Sequence, residues 1–273
     1  MRIKVYLSDE GYGHIVRQEA IIKELFRLRN DLDITIQTKE KINVVKEKFG
    51  DSVTYIEKFN NINTTKKITG FLDLEETRKC FENYYNIFDK VVEDECRNFD
   101  FDMIISDTVP EAHEIARLNH VPSFGIFHFD WGWFCSKVYP ELTDVINLFS
   151  KCYKSATKIY MPPFSPPEIT EKYSKNLINV PCIINDFNNV DIPTTNKVNV
   201  LIMDNGTSTL SEIILHNFEN FLQLNQYHFF MSDKLAPLQA GKDSKNITLV
   251  SGLRNVHSLI PKVDVIVARA GYN

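Results

Sequence analysis

The opening stretch, Ile3 to Arg17, limits what this chain can fold into more than any other. A short apolar strand (Ile3, Val5, Leu7) stops at a polar turn with two glycines and runs straight into a helix. A strand followed at once by a helix has no hairpin partner, so it calls for parallel pairing through a crossover. The pattern recurs. Ile34 to Gln37, Val53 to Ile56, Met103 to Ser106, Ser123 to Phe127 and Lys158 to Met161 read as strands. Helical stretches run from Ile42 to Phe49, Leu74 to Asn98, Pro110 to Asn119 and over 141–155. Such alternation predicts an α/β fold with a doubly wound parallel sheet. In the first helix, Ile21, Leu25 and Leu28 mark the expected apolar stripe.

The first turn reads Gly11-Tyr12-Gly13-His14. Its glycines can take backbone angles closed to other residues and let a ligand approach the main chain. The spacing is Gly-x-Gly-His and not the Gly-x-Gly-x-x-Gly of dinucleotide folds, with an imidazole next after the second glycine and no third glycine. His14 falls near a helix N-terminus, where free N–H groups and the helix dipole favour an anion. A histidine there suits proton abstraction from a hydroxyl. The competing reading is an ordinary helix-start residue satisfied by backbone groups.

Hydrophobic residues make up 43% of the 273 positions and charged ones 25%, enough for a core without staples. The net charge of −5 argues against a nucleic-acid partner. The basic run Lys39 to Lys48 is interrupted by Glu40 and Glu47 and reads as a solvated helix face. Five widely spaced cysteines with no Cys-x-x-Cys point to reduced thiols and a cytoplasmic location. No signal peptide is expected, and the most apolar run, Ser123 to Phe134, is too short to span a bilayer.

Ligands of open α/β sheets bind beyond the carboxyl ends of the strands. His14 and Asp107 both fall at such ends, as do His128 and Asp130. A carboxylate facing an imidazole fixes its tautomer and stabilises the imidazolium formed when a proton is taken. Asp107 also has the chemistry of an N-cap for the helix near Pro110, so both readings stand. The aromatic run Phe129 to Phe134 suits either sugar stacking and an apolar acceptor, or a plug at the sheet edge or in an interdomain cleft. The long helix carries Phe81, Tyr84, Tyr85 and Phe88 at helical spacing, which reads as core.

Pro162 to Pro167 and Asn179 to Asn196 are the least regular segments, and a second α/β run starts beyond them. It reads as strands Val198 to Met203, Tyr227 to Met231, Ile247 to Val250 and Val263 to Ala268, with a helix ending near Phe218 and a short one from Val256 to Leu259. Its first turn holds Asn205, Gly206, Thr207 and Ser208, which can offer N–H and O–H donors to phosphate oxygens. The expected domains are 1–182, a linker at 183–196, and 197–273.

Three segments carry a resemblance: Ser8 to Arg17 with its Gly-x-Gly-His, Ile104-Ile105-Ser106-Asp107 through Ala116 to Ser123, and Val263 to Asn273. Together they resemble the GT-B glycosyltransferases, in particular the peptidoglycan N-acetylglucosaminyltransferase and UDP-glycosyltransferase group. The resemblance implies two Rossmann-like domains facing across a cleft, the second incomplete here. It implies an inverting, metal-independent transferase that moves a sugar from a UDP-sugar to an acceptor hydroxyl, with no cofactor beyond that co-substrate. His14 would be the base and Asp107 its orienting partner. Gly11 and Gly13 would shape the acceptor-side loop. Asn205, Gly206, Thr207 and Ser208 with Ala270 and Gly271 would hold the diphosphate, and Leu253 or Arg254 would lie near the nucleobase. Peripheral contact with a membrane surface and the oligomeric state are left open. The sequence stops at Asn273, inside the donor motif, where relatives continue with Thr or Ser and then Glu, so weak donor binding by this chain alone is expected. A UDP-sugar 2-epimerase and a non-catalytic nucleotide-sugar-binding module are the alternatives.

Overall fold

A computed structural model describes residues 1–58, 62–67, 71–185, 196–203, 213–214, 216–232, 245–250, 256 and 258–268. The chain divides into two compact units, the first containing Met1–Thr65 and Leu72–Asn185, the second containing the strands from Val198 onward. Most of the expected linker, and the turn at 205–208, lie outside the described residues, as do Leu253, Arg254, Ala270 and Gly271.

The first unit runs β1 (Arg2–Leu7), α1 (Gly13–Leu28), β2 (Asp33–Thr38), α2 (Ile42–Phe49), β3 (Thr54–Glu57), α3 (Leu74–Cys96) and β4 (Met103–Asp107). It continues with α4 (Glu111–Leu118), β5 (Ser123–Ile126), α5 (Trp131–Val138), α6 (Thr143–Lys154), β6 (Lys158–Met161), α7 (Pro167–Lys172) and β7 (Leu177–Asn179). All strands pair in parallel in the order β3-β2-β1-β4-β5-β6-β7. The order reverses between β1 and β4, which makes that pair the switch point where open α/β sheets leave a crevice.

Alternate side chains of a strand face opposite ways. Ile3, Val5 and Leu7 of β1 therefore pack with Ile15 and Ile22 of α1 and Val45 and Phe49 of α2. Tyr6 packs with Phe81, Tyr84 and Phe88 of α3 and Ala112 and Ile115 of α4. Lys4 points the same way as Tyr6, and both reach Glu95, at 2.6 Å and 2.7 Å. Burial would raise the Glu95 carboxyl, but the Lys4 ammonium, with Lys58 and Tyr6, holds it down at about 2.

Several expectations need correction. The inward face of α1 carries Ile15, Arg17, Gln18, Glu19 and Ile22, while Leu28 is 63% exposed. Polar groups on that face have buried partners, while Ile21 and Leu25 of the expected stripe pack half-buried against the same core. Lys48 is not solvated: its ammonium is paired with Glu19. The aromatic run is a helix, α5, with Asp130 as its N-cap at 2.6 Å from the Trp133 amide. Trp131 sits 3% exposed in the core against Phe81 and Phe134, and Phe129, Trp133 and Phe134 pack half-buried against the same core. Helix α7 follows a proline pair, with Pro167 at its first position, and β7 adds a strand that the sequence reading did not foresee.

The second unit has strands β8 (Val198–Met203), β9 (Tyr227–Ser232), β10 (Ile247–Val250) and β11 (Val265–Ala268), with helix α8 (Phe218–Gln223). They form a parallel sheet in the order β10-β9-β8-β11. Here the order reverses between β8 and β11, and Met203 stands opposite Ala268. Among the described residues no helix is long and apolar enough to cross a membrane.

Candidate active site

The loop after β1 is tied down before it reaches His14. Asp9 is buried and its Oδ1 accepts from Thr38 Oγ1 at 2.7 Å and from the amides of Lys39 and Glu40, both at 2.9 Å. These bonds join the loops after β1 and β2. Glu10 accepts from the Thr64 amide at 2.6 Å, which holds the loop after β3. Gly11 has φ +50, a left-handed conformation that favours glycine. Gly13 needs no such freedom, being the first residue of α1. His14 follows it, at a helix start with no side-chain cap and no acidic residue in the first turn.

Asp107 ends β4 directly opposite Leu7. The chain turns sharply after it: Thr108 has φ +63, costly for a β-branched residue. The turn is pinned by Tyr153, whose hydroxyl donates to the Thr108 carbonyl at 3.0 Å. Ser106 Oγ adds a bond to the Val109 carbonyl at 2.6 Å and accepts from the Val109 amide at 3.1 Å. Asp107 is not the cap of α4, whose N-cap position is Pro110 with no side-chain bond.

The two residues meet: His14 Nδ1 lies 2.6 Å from Asp107 Oδ1. Asp107 is fully buried, and the His14 side chain is 21% exposed. Two further long side chains join the cluster, beside the Thr108 hydroxyl, which donates to Asp107 Oδ1 at 3.4 Å. Arg17 forks onto Asp107, with Nε 3.1 Å from Oδ2 and Nη2 bonded to Oδ1. Gln18 Nε2 donates to Oδ2 at 2.8 Å. Burial alone would raise the Asp107 carboxyl, but the Arg17 guanidinium, with His14, holds it well below the usual carboxylate range. Sequence reasoning missed Arg17 and Gln18. Their spacing from His14, three and four residues on, puts all three on one helix face, and that signal was available.

Of the other residues at strand ends, His128 approaches the cluster and Asp130 does not. His128 Nδ1 lies 3.2 Å from the Pro163 carbonyl. Burial, together with the Arg17 charge, pushes its imidazole down to about 4. Asp130 is spent on structure: besides capping α5 it accepts from Tyr173 at 2.6 Å and pairs with Lys172 at 3.1 Å. Among the described residues no cluster of His, Cys, Asp and Glu is built to hold a metal ion. The expected donor-binding residues at 205–208, 253–254 and 270–271 lie outside the described residues.

No protein-family model and no curated protein sequence matches the chain. Solved structures do match in fold. LpCGTa in complex with UDP is 14% identical with a TM-score of 0.62, covering 98% of this chain and 74% of its own. UGT89C1 of Arabidopsis thaliana complexed with quercetin is 12% identical at 0.61, covering 99% and 74%. The glycosyltransferase SnogD from Streptomyces nogalater is 12% identical at 0.58, covering 100% and 77%. With its seven-stranded parallel sheet and second parallel sheet, the chain has the fold of the GT-B glycosyltransferases.

Proposed function

We propose that this chain belongs to a glycosyltransferase that moves a sugar from a UDP-sugar to an acceptor hydroxyl with inversion, His14 being the general base. The observation that carries the reading is the 2.6 Å contact of His14 Nδ1 with Asp107 Oδ1 at the switch point of the first sheet. With its Nδ1–H donating to the Asp107 carboxylate, the imidazole keeps the Nε2 lone pair for the acceptor. In the step itself, the acceptor O–H gives its proton to Nε2 as its oxygen bonds to the anomeric carbon. The bond from that carbon to the β-phosphate oxygen breaks, and UDP leaves with the electron pair.

The second unit would supply the nucleotide side. Its strands β8 and β11 end as partners at Met203 and Ala268, and the chain goes on from there into the two segments proposed to bind diphosphate. No metal is needed in this reading, because N–H and O–H donors would carry the departing charge. The fold neighbours solved with UDP and with UDP-L-rhamnose support a nucleotide-sugar donor.

The test is UDP release from a panel of UDP-sugars with hydroxyl acceptors. His14→Ala should lower turnover by roughly 10²–10⁴-fold, the usual share of a general base, with the donor KM unchanged. Unaltered turnover would remove His14 from the reaction.

A further inference from the structure

A carboxylate that only orients a histidine needs one bond to it, yet Asp107 takes four donors within 3.2 Å: His14 Nδ1, Arg17 Nε, Arg17 Nη2 and Gln18 Nε2. These fill the sites a carboxylate offers. The Arg17 fork matches the carboxylate plane and fixes its rotation. Arg17 also comes close to the imidazole itself, with Nη2 3.2 Å from His14 Nδ1. The guanidinium is 2% exposed and Asp107 not at all. Stability is a poor reason to keep such a pair, since apolar replacements of buried ion pairs are often neutral or better.

We propose that Arg17 is a positioning residue of the base, which neutralises Asp107 so that the carboxylate aligns His14 without trapping the proton His14 takes up. This rests on the function proposed above. A bare buried carboxylate 2.6 Å away would hold a positive imidazole tightly and slow its return to the unprotonated form between turnovers. A guanidinium on the same carboxylate opposes that second positive charge at nearly the same distance. The imidazole therefore faces a neutral pair, keeping the alignment and losing most of the attraction. Among the described residues, the charged and titratable groups facing it are Arg17 on its own helix, Asp107 at the end of β4, and His128 after β5. His128 is neutral above about pH 4 and leaves this balance unchanged. Helix α1 carries both base and brace, so the cluster is assembled without any substrate.

The test is an NMR pH titration of the histidine-labelled chain without nucleotide, with the His14 signal identified by its loss in His14→Gln. In Arg17→Met, which leaves Asp107 unneutralised, the pH at which His14 gives up its proton should rise by at least about one unit over wild type. Arg17→Gln, a second neutral variant that keeps a donor for the carboxylate, should move it the same way. Arg17→Lys retains the charge and should stay nearer to wild type. A His14 titration unmoved in a folded neutral variant, judged by tryptophan fluorescence, overturns the proposal, as does a rise in Arg17→Lys equal to that in Arg17→Met. Because no substrate is present, these results are independent of whether the chain transfers sugar. Where turnover is measurable, Arg17→Met should lower kcat at neutral pH by at least about tenfold with KM unchanged, and recover towards alkaline pH.

Discussion

Glu111 opens α4 four residues after Asp107, is 1% exposed, and has the Tyr84 hydroxyl on its Oε2. Burial pushes its carboxyl up to about 8 from an ordinary 4.5. Between those values the folded chain holds a proton that the unfolded chain has released. The native state then binds more protons than the unfolded one, so stability falls as pH rises. His113 and His128, which burial lowers to about 3 and about 4 from 6.5, have the opposite effect, but only below about pH 6.5. From about pH 6.5 to 8 Glu111 acts without them. At 1.36 kcal/mol per unit, that window corresponds to about 2 kcal/mol. Glu111→Gln keeps the shape and a hydrogen bond for Tyr84 but cannot ionise. In urea titrations the wild-type midpoint should drop by roughly 1 M between those two pH values, while the variant stays flat. Tryptophan fluorescence suits the assay, because both tryptophans, Trp131 and Trp133, lie in the first unit. A wild-type midpoint that holds steady across this window, or a variant that falls in parallel with it, would refute the assignment of a buried neutral Glu111.

Two further substitutions test the packing around the site. Phe164 has φ +68 and is 83% exposed, so Phe164→Asn relieves a strained conformation without losing core contacts and should stabilise the first unit by roughly 0.5–1 kcal/mol. A lower thermal midpoint would mean that the ring is supporting the loop. At Gly125 an added Cβ would come 3.0 Å from the Phe127 ring and 3.2 Å from that of His113. Gly125→Ala should therefore cost about 1–3 kcal/mol, read as a lower urea midpoint, and an unchanged midpoint would show that the rings can yield.

Much of the first unit was legible because it is local. Strand and helix alternate in short apolar periods, so the parallel sheet and the carboxyl-end positions of His14 and Asp107 could be read from the sequence. Gly11 could be recognised as well, since few other residues tolerate its left-handed turn. The apolar stripe of α1 marks only the margin of its buried face, with Ile21 and Leu25 against the core, whereas Arg17 and Gln18 are buried by their bonds to a carboxylate 90 and 89 residues away. The aromatic run was ambiguous for a related reason: ring chemistry is the same in a core as on a binding face, and only the packing of Trp131 against Phe81 decides.

The sequence by itself determined the run of strands β1 to β6 and brought His14 and Asp107 to the ends of two of them, because each depends on residues close in the chain. Only the tertiary structure decided which strands adjoin, and so whether those ends meet. Placing β1 beside β4 sets Asp107 opposite Leu7 and within reach of His14, turning a potential helix cap into the partner of an imidazole. The Arg17 brace follows from the same adjacency, since a buried charge has a place only where the fold brings its counter-ion.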